Sequence, residues 1–158
     1  MIIKGIIDED IVNYKKISMV IIFPYCNFKC DKEFGSSVCQ NGTLATKYNN
    51  IDMGIDKIIH RYLINDMTEA IIFQGLEPFD SFNDVVSLII SLRKYCEDDV
   101  VIYTGYNKDE ISDKINILKE YSNIIIKYGR YIPNQDKHYD ALLGVDLASR
   151  NQYAERIC

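Results

Sequence analysis

The sequence predicts an α/β protein whose central sheet is mainly parallel. Four short apolar segments rich in isoleucine and valine are separated by stretches in which apolar residues recur at helical spacing. Strands that alternate with helices in this way build parallel sheets. The length of 158 residues and the hydrophobic content of 47% fit one globular domain covering residues 1–158.

The four predicted strands share a nearly continuous run of apolar residues, which is typical of strands buried on both faces. They are SMVIIF at 18–23, EAIIF at 69–73, DVVIY at 99–103 and NIIIK at 123–127. A weaker strand signal lies at residues 141–145. The rest of the chain after Gly129 is polar and irregular in pattern.

Three helices are predicted, each between two of these strands. They cover residues 52–65, a segment that follows Ser81 and reaches Leu92, and residues 108–120. Each repeats apolar residues three and four positions apart, which gives the helix one inward face. Ser81 is expected to be the N-cap of the second helix.

Three unusual loops follow the first three predicted strands. The first carries cysteines, the second is the turn QGLEP at 74–78, and the third contains Thr104 and Gly105. Ligands of parallel α/β sheets bind beyond the carboxyl ends of the strands. We therefore expect the three loops to meet at one edge of the sheet.

Three of the five cysteines, Cys26, Cys30 and Cys39, lie in the first of these loops. We expect the chain in the reducing cytosol, for the reasons given below. An odd number of cysteines there indicates metal binding or catalysis rather than disulfides. Three interpretations remain open: a zinc site, an iron–sulfur cluster with one iron free for another ligand, or unligated thiols. Zinc would need a fourth ligand. The candidates are His60, His138, Cys96 and Cys158, and none of them has the spacing of a zinc motif.

Charge and hydropathy disfavour several classes of partner. The net charge is −5 and no run of lysine and arginine stands out, so no nucleic-acid partner is expected. The N-terminal segment lacks the pattern of a secretory signal, and no apolar stretch approaches the length of a membrane span. We expect a cytoplasmic protein with no membrane partner.

Six short motifs occur along nearly the whole chain: DIVN at 10–13, Cys26-x3-Cys30, Cys39-Gln40-Asn41, GLEP at 75–78, YTGY at 103–106 and SRNQ at 149–152. In this order they resemble the motifs of radical S-adenosylmethionine (SAM) enzymes. They are most similar to those of the activating proteins of anaerobic ribonucleoside-triphosphate reductases.

The resemblance implies a fold and a set of site residues. The fold would be an incomplete (βα) barrel of about five or six mainly parallel strands. Cys26, Cys30 and Cys39 would bind three irons of a [4Fe-4S] cluster, and the fourth iron would bind the amino and carboxylate groups of SAM. The other implied cofactor-binding residues are Gln74, Gly75, Leu76, Glu77, Pro78, Tyr103, Thr104 and Gly105.

The resemblance also implies an activity. The reduced cluster would cleave SAM to a 5′-deoxyadenosyl radical, which would generate a glycyl radical on a large reductase subunit. A flavodoxin or a ferredoxin would supply the electron. Two alternatives stay open: a radical SAM enzyme that modifies a small molecule, peptide or nucleotide, and a non-catalytic zinc or iron–sulfur module.

The chain departs from the family pattern in the loop, in the turn and near the N-terminus. Residues 31–38 are inserted between the second and third cysteines. Leu76 replaces the second glycine of the turn, and strain is expected there because leucine disfavours a positive φ. Residues 14–16, Tyr-Lys-Lys, replace a flexible turn on the substrate side.

Overall fold

The computed structural model describes residues 1–158 and contains ten strands and five α-helices. The strands are β1 (Ile2–Ile3), β2 (Gly5–Asp10), β3 (Ser18–Phe23), β4 (Ile51–Asp52), β5 (Ala70–Gly75), β6 (Asp99–Tyr103), β7 (Ile124–Tyr128), β8 (His138–Asp140), β9 (Val145–Leu147) and β10 (Tyr153–Arg156). The helices are α1 (Lys29–Phe34), α2 (Gly42–Lys47), α3 (Ile55–Leu63), α4 (Phe82–Leu92) and α5 (Ser112–Leu118), with 3-10 turns at Pro78–Ser81 and Lys108–Ile111. No helix is long and apolar enough to cross a bilayer.

The central sheet has six strands in the order β10-β7-β6-β5-β3-β2. Its four inner strands, β3, β5, β6 and β7, run parallel, whereas β2 and β10 pair antiparallel at the two edges. The α/β class and the parallel centre of the sheet are therefore confirmed. The sheet is open, since β2 and β10 do not pair with each other, and a barrel is not shown.

The buried strands follow the sequence prediction closely, and the exposed ones do not. β3 and β6 begin and end at the predicted residues, and β5 and β7 are displaced by one or two positions. The edge strands β2 and β10 were not predicted, because their exposed and polar residues give no continuous apolar run.

The strand predicted at 141–145 is wrong over most of its length. This segment is the turn between β8 and β9, which pair as a small antiparallel hairpin. Asp140 Oδ1 accepts hydrogen bonds from the backbone N–H groups of Leu142 and Leu143, each at 3.0 Å, and Gly144 has a φ of 76°. An aspartate that bonds the backbone ahead of it favours a turn over a strand.

Ser81 is the N-cap residue of α4, as predicted, but its side chain does not make the capping contact. The side chain of Ser81 makes no cap hydrogen bond, and its Oγ is buried without a partner. A 3-10 turn starting at Pro78 precedes α4, and Glu77 caps that turn by accepting the N–H of Phe79 at 3.1 Å. The third predicted helix is likewise divided into the 3-10 turn Lys108–Ile111 and α5.

The central sheet is buried on both faces, as its apolar strands require. One face packs against α3, α4 and α5 in a cluster of 22 buried residues. The other face forms a cluster of 8 buried residues with Tyr14, Leu143 and Leu147, which come from the loop after β2 and from the β8–β9 region. The strands thus present alternate side chains to a helical layer and to a layer of loops.

Candidate functional site

The three unusual loops meet at the carboxyl ends of the parallel strands, around a cavity of about 350 Å³. The predicted residues that line it are Cys26, Cys30, Cys39, Gln74, Gly75, Leu76, Glu77, Tyr103, Thr104 and Gly105. Pro78 is the exception, because it is buried at the start of the 3-10 turn and is not part of the lining. A volume of this size is in the range of small-molecule sites.

The floor of the cavity is a row of side chains on four adjacent strands. Ile22 pairs in register with Gln74, and Tyr103 pairs with Lys127. The four residues line the cavity and share the sheet face that the loops and the hairpin cover. Register between parallel strands therefore determines which side chains reach the site.

Cys26 and Cys30 lie on either side of a left-handed residue. Phe28 has a φ of 53°, which is rare for a bulky side chain. This turn directs the N–H of Phe28 onto Cys26 Sγ at 3.2 Å, and Cys30 follows in the first turn of α1. Burial raises the pKa of Cys26 to about 12 and also raises the pKa of Cys30. Binding of a metal to these thiols would therefore displace protons.

Cys39 returns to the cavity between two side-chain contacts. The backbone N–H of Cys39 donates to Asp31 Oδ1 at 2.8 Å. On the other side, Asn41 Nδ2 donates to the carbonyl oxygen of Gly75 at 3.1 Å, which ties the cysteine loop to the end of β5. The half-buried thiols of Cys26, Cys30 and Cys39 thus face one cavity.

Glu77 links the second and third loops through its buried carboxylate. Oε1 accepts hydrogen bonds from Thr104 Oγ1 at 2.8 Å and from the N–H of Phe79 at 3.1 Å. Oε2 accepts the N–H of Gly105 at 2.9 Å. Burial raises the pKa of Glu77 to about 7, although the three donors favour the charged form. The resemblance placed Glu77 at the site, and the structure shows that it also joins two turns.

Lys127 is a site residue that the sequence analysis did not identify. Its side chain lines the cavity, is only 7% exposed, and donates one hydrogen bond, to the carbonyl oxygen of Gly129 at 3.1 Å. Burial lowers its pKa to about 8. The available signal was its position in the predicted strand 123–127, where a lone lysine follows three isoleucines.

Gly75 provides the backbone conformation of the GLEP turn. Its φ of 109° lies in a region that residues with a side chain avoid. The expected strain at Leu76 is absent, because Leu76 does not have a positive φ. The residue with a positive φ in this turn is Gly75. It lies one position before Leu76, which replaces the second glycine of the family.

Alanine at Gly75 is expected to lower the free energy of unfolding by about 2–4 kcal/mol, through strain and overpacking. A Cβ there would lie 2.5 Å from Ile22 Cγ2 and 3.0 Å from the backbone nitrogen of Phe23. Urea unfolding monitored by circular dichroism measures the effect. Gly54→Ala is the matched control, since a Cβ at Gly54 meets nothing within 4 Å and its φ is −64°. Equal stabilities for the two variants would contradict the close approach at Gly75.

A network of charges lies beside the cavity. Arg130 donates from both terminal nitrogens to Glu110, at 2.7 and 2.6 Å, and its Nε lies 3.1 Å from Glu33 of α1. Lys29 Nζ also bonds to Glu110, at 2.5 Å. The two cations lower the pKa of Glu110 to about 2, with the hydrogen bond from Arg130 as the largest cause. This network connects α1 to the residues that follow β6 and β7.

The additional ligands considered for zinc lie outside the cavity. His60 lines a different cavity, of about 490 Å³, between α3 and α4. Cys96 packs against the main core, and Cys158 is exposed. No three or more His, Cys, Asp or Glu side chains are arranged to hold a single metal ion. Ligands of a cubane cluster bind different irons and need not converge on one point as zinc ligands do.

Comparison with protein families identifies the type of cofactor. The model of the 4Fe-4S single cluster domain family matches residues 15–152, which include all three cavity cysteines. The chain belongs to this family. No curated protein and no solved structure matches the chain. Membership of the 4Fe-4S single cluster domain family indicates an iron–sulfur cluster, and the geometry offers Cys26, Cys30 and Cys39 as the thiols for it.

Proposed function

We propose that this member of the 4Fe-4S single cluster domain family is an enzyme that cleaves SAM reductively and generates a glycyl radical on a partner reductase. The observation that carries the proposal is the convergence of three cysteines, without a fourth, and of the GLEP and YTGY turns on one cavity. The family match supports the cluster. The cleavage of SAM, SAM itself as the second cofactor and the reductase partner are inferred from the resemblance of the six motifs to those of radical SAM enzymes.

The donor set fits a cluster with one open iron. Three thiols line the cavity, and the remaining cysteines, Cys96 and Cys158, do not. A [4Fe-4S] cluster held by three thiolates keeps one iron free for an exogenous ligand. When bound and reduced, the cluster would supply the electron that breaks a carbon–sulfur bond of SAM. Cys26, Cys30 and Cys39 would hold it within reach of the GLEP turn.

The chain offers charged groups of both signs for the amino-acid end of SAM. Glu77 Oε2 accepts only one hydrogen bond and keeps an acceptor position for an ammonium group. Lys127 is the one cationic side chain of the cavity lining, and its ammonium uses a single donor on the protein. A buried ammonium that forms no ion pair favours an anionic ligand, so we assign the ligand carboxylate to Lys127.

The Lys127→Met variant is expected to bind SAM about tenfold more weakly than wild type, since it loses a charged hydrogen bond. Its apo form should be at least as stable, because burial of the lysine already disfavours its charge. Equilibrium dialysis of the reconstituted variant, with thermal unfolding of its apo form, measures both quantities. Unchanged affinity for SAM would remove Lys127 from the site.

A large partner is consistent with the surroundings of the cavity. Val12 lines the cavity and is 70% exposed, and its neighbour Ile11 is 75% exposed. Apolar side chains at the opening of a site favour contact with another protein. We propose that the glycine-bearing segment of the partner approaches here, and that flavodoxin or ferredoxin donates the electron in the cytoplasm.

One experiment tests the proposal in two stages. The protein is reconstituted anaerobically with iron and sulfide, reduced in the presence of SAM, and assayed for 5′-deoxyadenosine. We expect 5′-deoxyadenosine and, after addition of an anaerobic reductase subunit, a glycyl-radical signal in electron paramagnetic resonance. A fully loaded cluster that forms no 5′-deoxyadenosine would identify a non-catalytic module. Cleavage of SAM without the glycyl radical would identify a different substrate.

A further inference from the structure

The segment inserted between the second and third cysteines is not held by core packing. Residues 31–38 form most of α1 and the turn after it. No residue of α1 is buried, and its aromatic residue, Phe34, is 51% exposed. A segment with few buried apolar contacts opens easily unless other contacts hold it. Polar contacts must therefore determine where the insertion returns the chain to the cavity.

A single carboxylate at the start of the insertion closes it. Asp31 Oδ1 accepts hydrogen bonds from the backbone N–H groups of Val38 and Cys39, each at 2.8 Å. The backbone carbonyl of Asp31 also accepts the N–H of Gly35 at 2.9 Å, where a φ of 76° ends α1. Asp31 therefore joins the first inserted residue to the end of the helix, to the last inserted residue and to the third cysteine.

The other contacts of the insertion act further away from Cys39. The ion pair between Glu33 and Arg130 holds α1 to the residues after β7, and Lys29 bonds to Glu110 just before the insertion. Neither contact reaches the backbone after Gly35. Asp31 is the one residue whose side chain hydrogen-bonds to the backbone of Cys39.

We propose that Asp31 is a positioning residue for the third cluster ligand. Its carboxylate turns the inserted segment back on itself, so that Cys39 reaches the cavity despite its distance in sequence from Cys30. Hydrogen bonds from backbone N–H groups to a charged acceptor are among the stronger ones in proteins, which suits a segment with no buried residue. This inference rests on the cluster assignment in the proposed function and explains how the long spacing is accommodated.

The test compares Asp31→Ala, Asp31→Asn, Cys39→Ser and Asp113→Ala in the full chain after anaerobic reconstitution. Asp113 is an exposed aspartate in the first turn of α5 and serves as the matched control. The readouts are iron and sulfide per chain, the rate at which a chelator removes the iron, and the electron paramagnetic resonance spectrum of the reduced cluster. None of these depends on SAM cleavage.

We expect Asp31→Ala to lose iron to the chelator roughly tenfold faster than wild type, because two hydrogen bonds to a charged acceptor disappear. Asp31→Asn retains an acceptor oxygen of the same shape and should restore most of the cluster, and Asp113→Ala should match wild type. Loss of the cluster in Cys39→Ser together with wild-type behaviour of Asp31→Ala would overturn the inference. A normal cluster in Cys39→Ser would instead overturn the ligand assignment.

Hydrogen exchange of the wild-type apo protein tests the inference independently of variant folding. The amides of Val38 and Cys39 should exchange more slowly than those of Ser36 and Ser37, which the carboxylate of Asp31 does not reach. Equal exchange across residues 36–39 would overturn the role of Asp31 even if the alanine variant failed to fold.

Discussion

Serine at Cys39 is expected to abolish the stable [4Fe-4S] cluster, reducing the iron that survives desalting from about four to under one per chain, since such clusters are held by cysteine thiolates. The same loss is expected for serine at Cys26 and at Cys30. The three thiols are the cysteines that line the cavity, so none of the others can replace a lost ligand there. Iron and sulfide analysis with the visible absorption spectrum measures the loss.

The two remaining cysteines provide matched controls for this prediction. Cys96 packs against the main core, and Cys158 is exposed near the carbonyl oxygen of Tyr121. Serine at either position should leave four irons per chain after reconstitution, as expected for a [4Fe-4S] cluster. Loss of iron in Cys96→Ser or Cys158→Ser with retention in Cys39→Ser would show that a different set of thiols binds the cluster.

Alanine at Glu77 is expected to lower the free energy of unfolding by roughly 3–5 kcal/mol, because a buried backbone donor, a partly buried backbone donor and a buried hydroxyl lose their acceptor. The donors are the N–H groups of Phe79 and Gly105 and the hydroxyl of Thr104. The same change separates the GLEP turn from the YTGY turn, so reconstitution of the site should fail as well. Urea unfolding of the apo protein isolates the effect on stability.

The control for the Glu77→Ala variant is Glu120→Ala, which removes an exposed glutamate after α5. This change should alter the free energy of unfolding by no more than about 0.5 kcal/mol. A loss of stability in Glu77→Ala no larger than that of the control would contradict the buried, three-donor environment of the carboxylate.

The dependence of stability on pH provides a second test of Glu77. Its pKa in the folded protein is about 7, above the ordinary value of 4.5, so the folded state binds the proton more tightly than the unfolded state does. The contribution of Glu77 therefore becomes less favourable as the pH rises from about 4.5 to 7, by roughly 3 kcal/mol in total. The difference in stability between wild type and Glu77→Gln should follow this trend. A difference independent of pH would show that the pKa of Glu77 is not raised.

The parallel centre of the sheet was predictable because its strands are buried on both faces. The runs SMVIIF and DVVIY contain almost no polar residue, so their limits are visible in the sequence. The edge strands β2 and β10 mix exposed acidic and basic residues with apolar ones, and pairing at one side only produces no such pattern. Whether the sheet stays open or closes into a barrel depends on how these edge strands pair. The periodicity of a single strand does not determine that pairing.

The site was predictable where it depends on strand ends and unusual residues, and less so where it depends on register. The loops with Cys26 and Gly75 follow predicted strands, so their meeting at one edge follows from the parallel arrangement. Lys127 reaches the same cavity because it lies in register with Tyr103, and that register is fixed only when β6 and β7 pair in the folded sheet. The hydrogen bond from the N–H of Cys39 to the carboxylate of Asp31 likewise exists only in the folded protein. The composition of this segment suggests only a polar loop.

Mössbauer spectroscopy of the protein reconstituted with ⁵⁷Fe tests the central claim most directly. Three cysteines around a four-iron cluster leave one iron without a protein thiolate. We expect four irons per chain, and one quarter of the Mössbauer signal should change its isomer shift when SAM is added. Four irons that stay equivalent with and without SAM, or a chain that binds a single metal ion in place of a cluster, would contradict it.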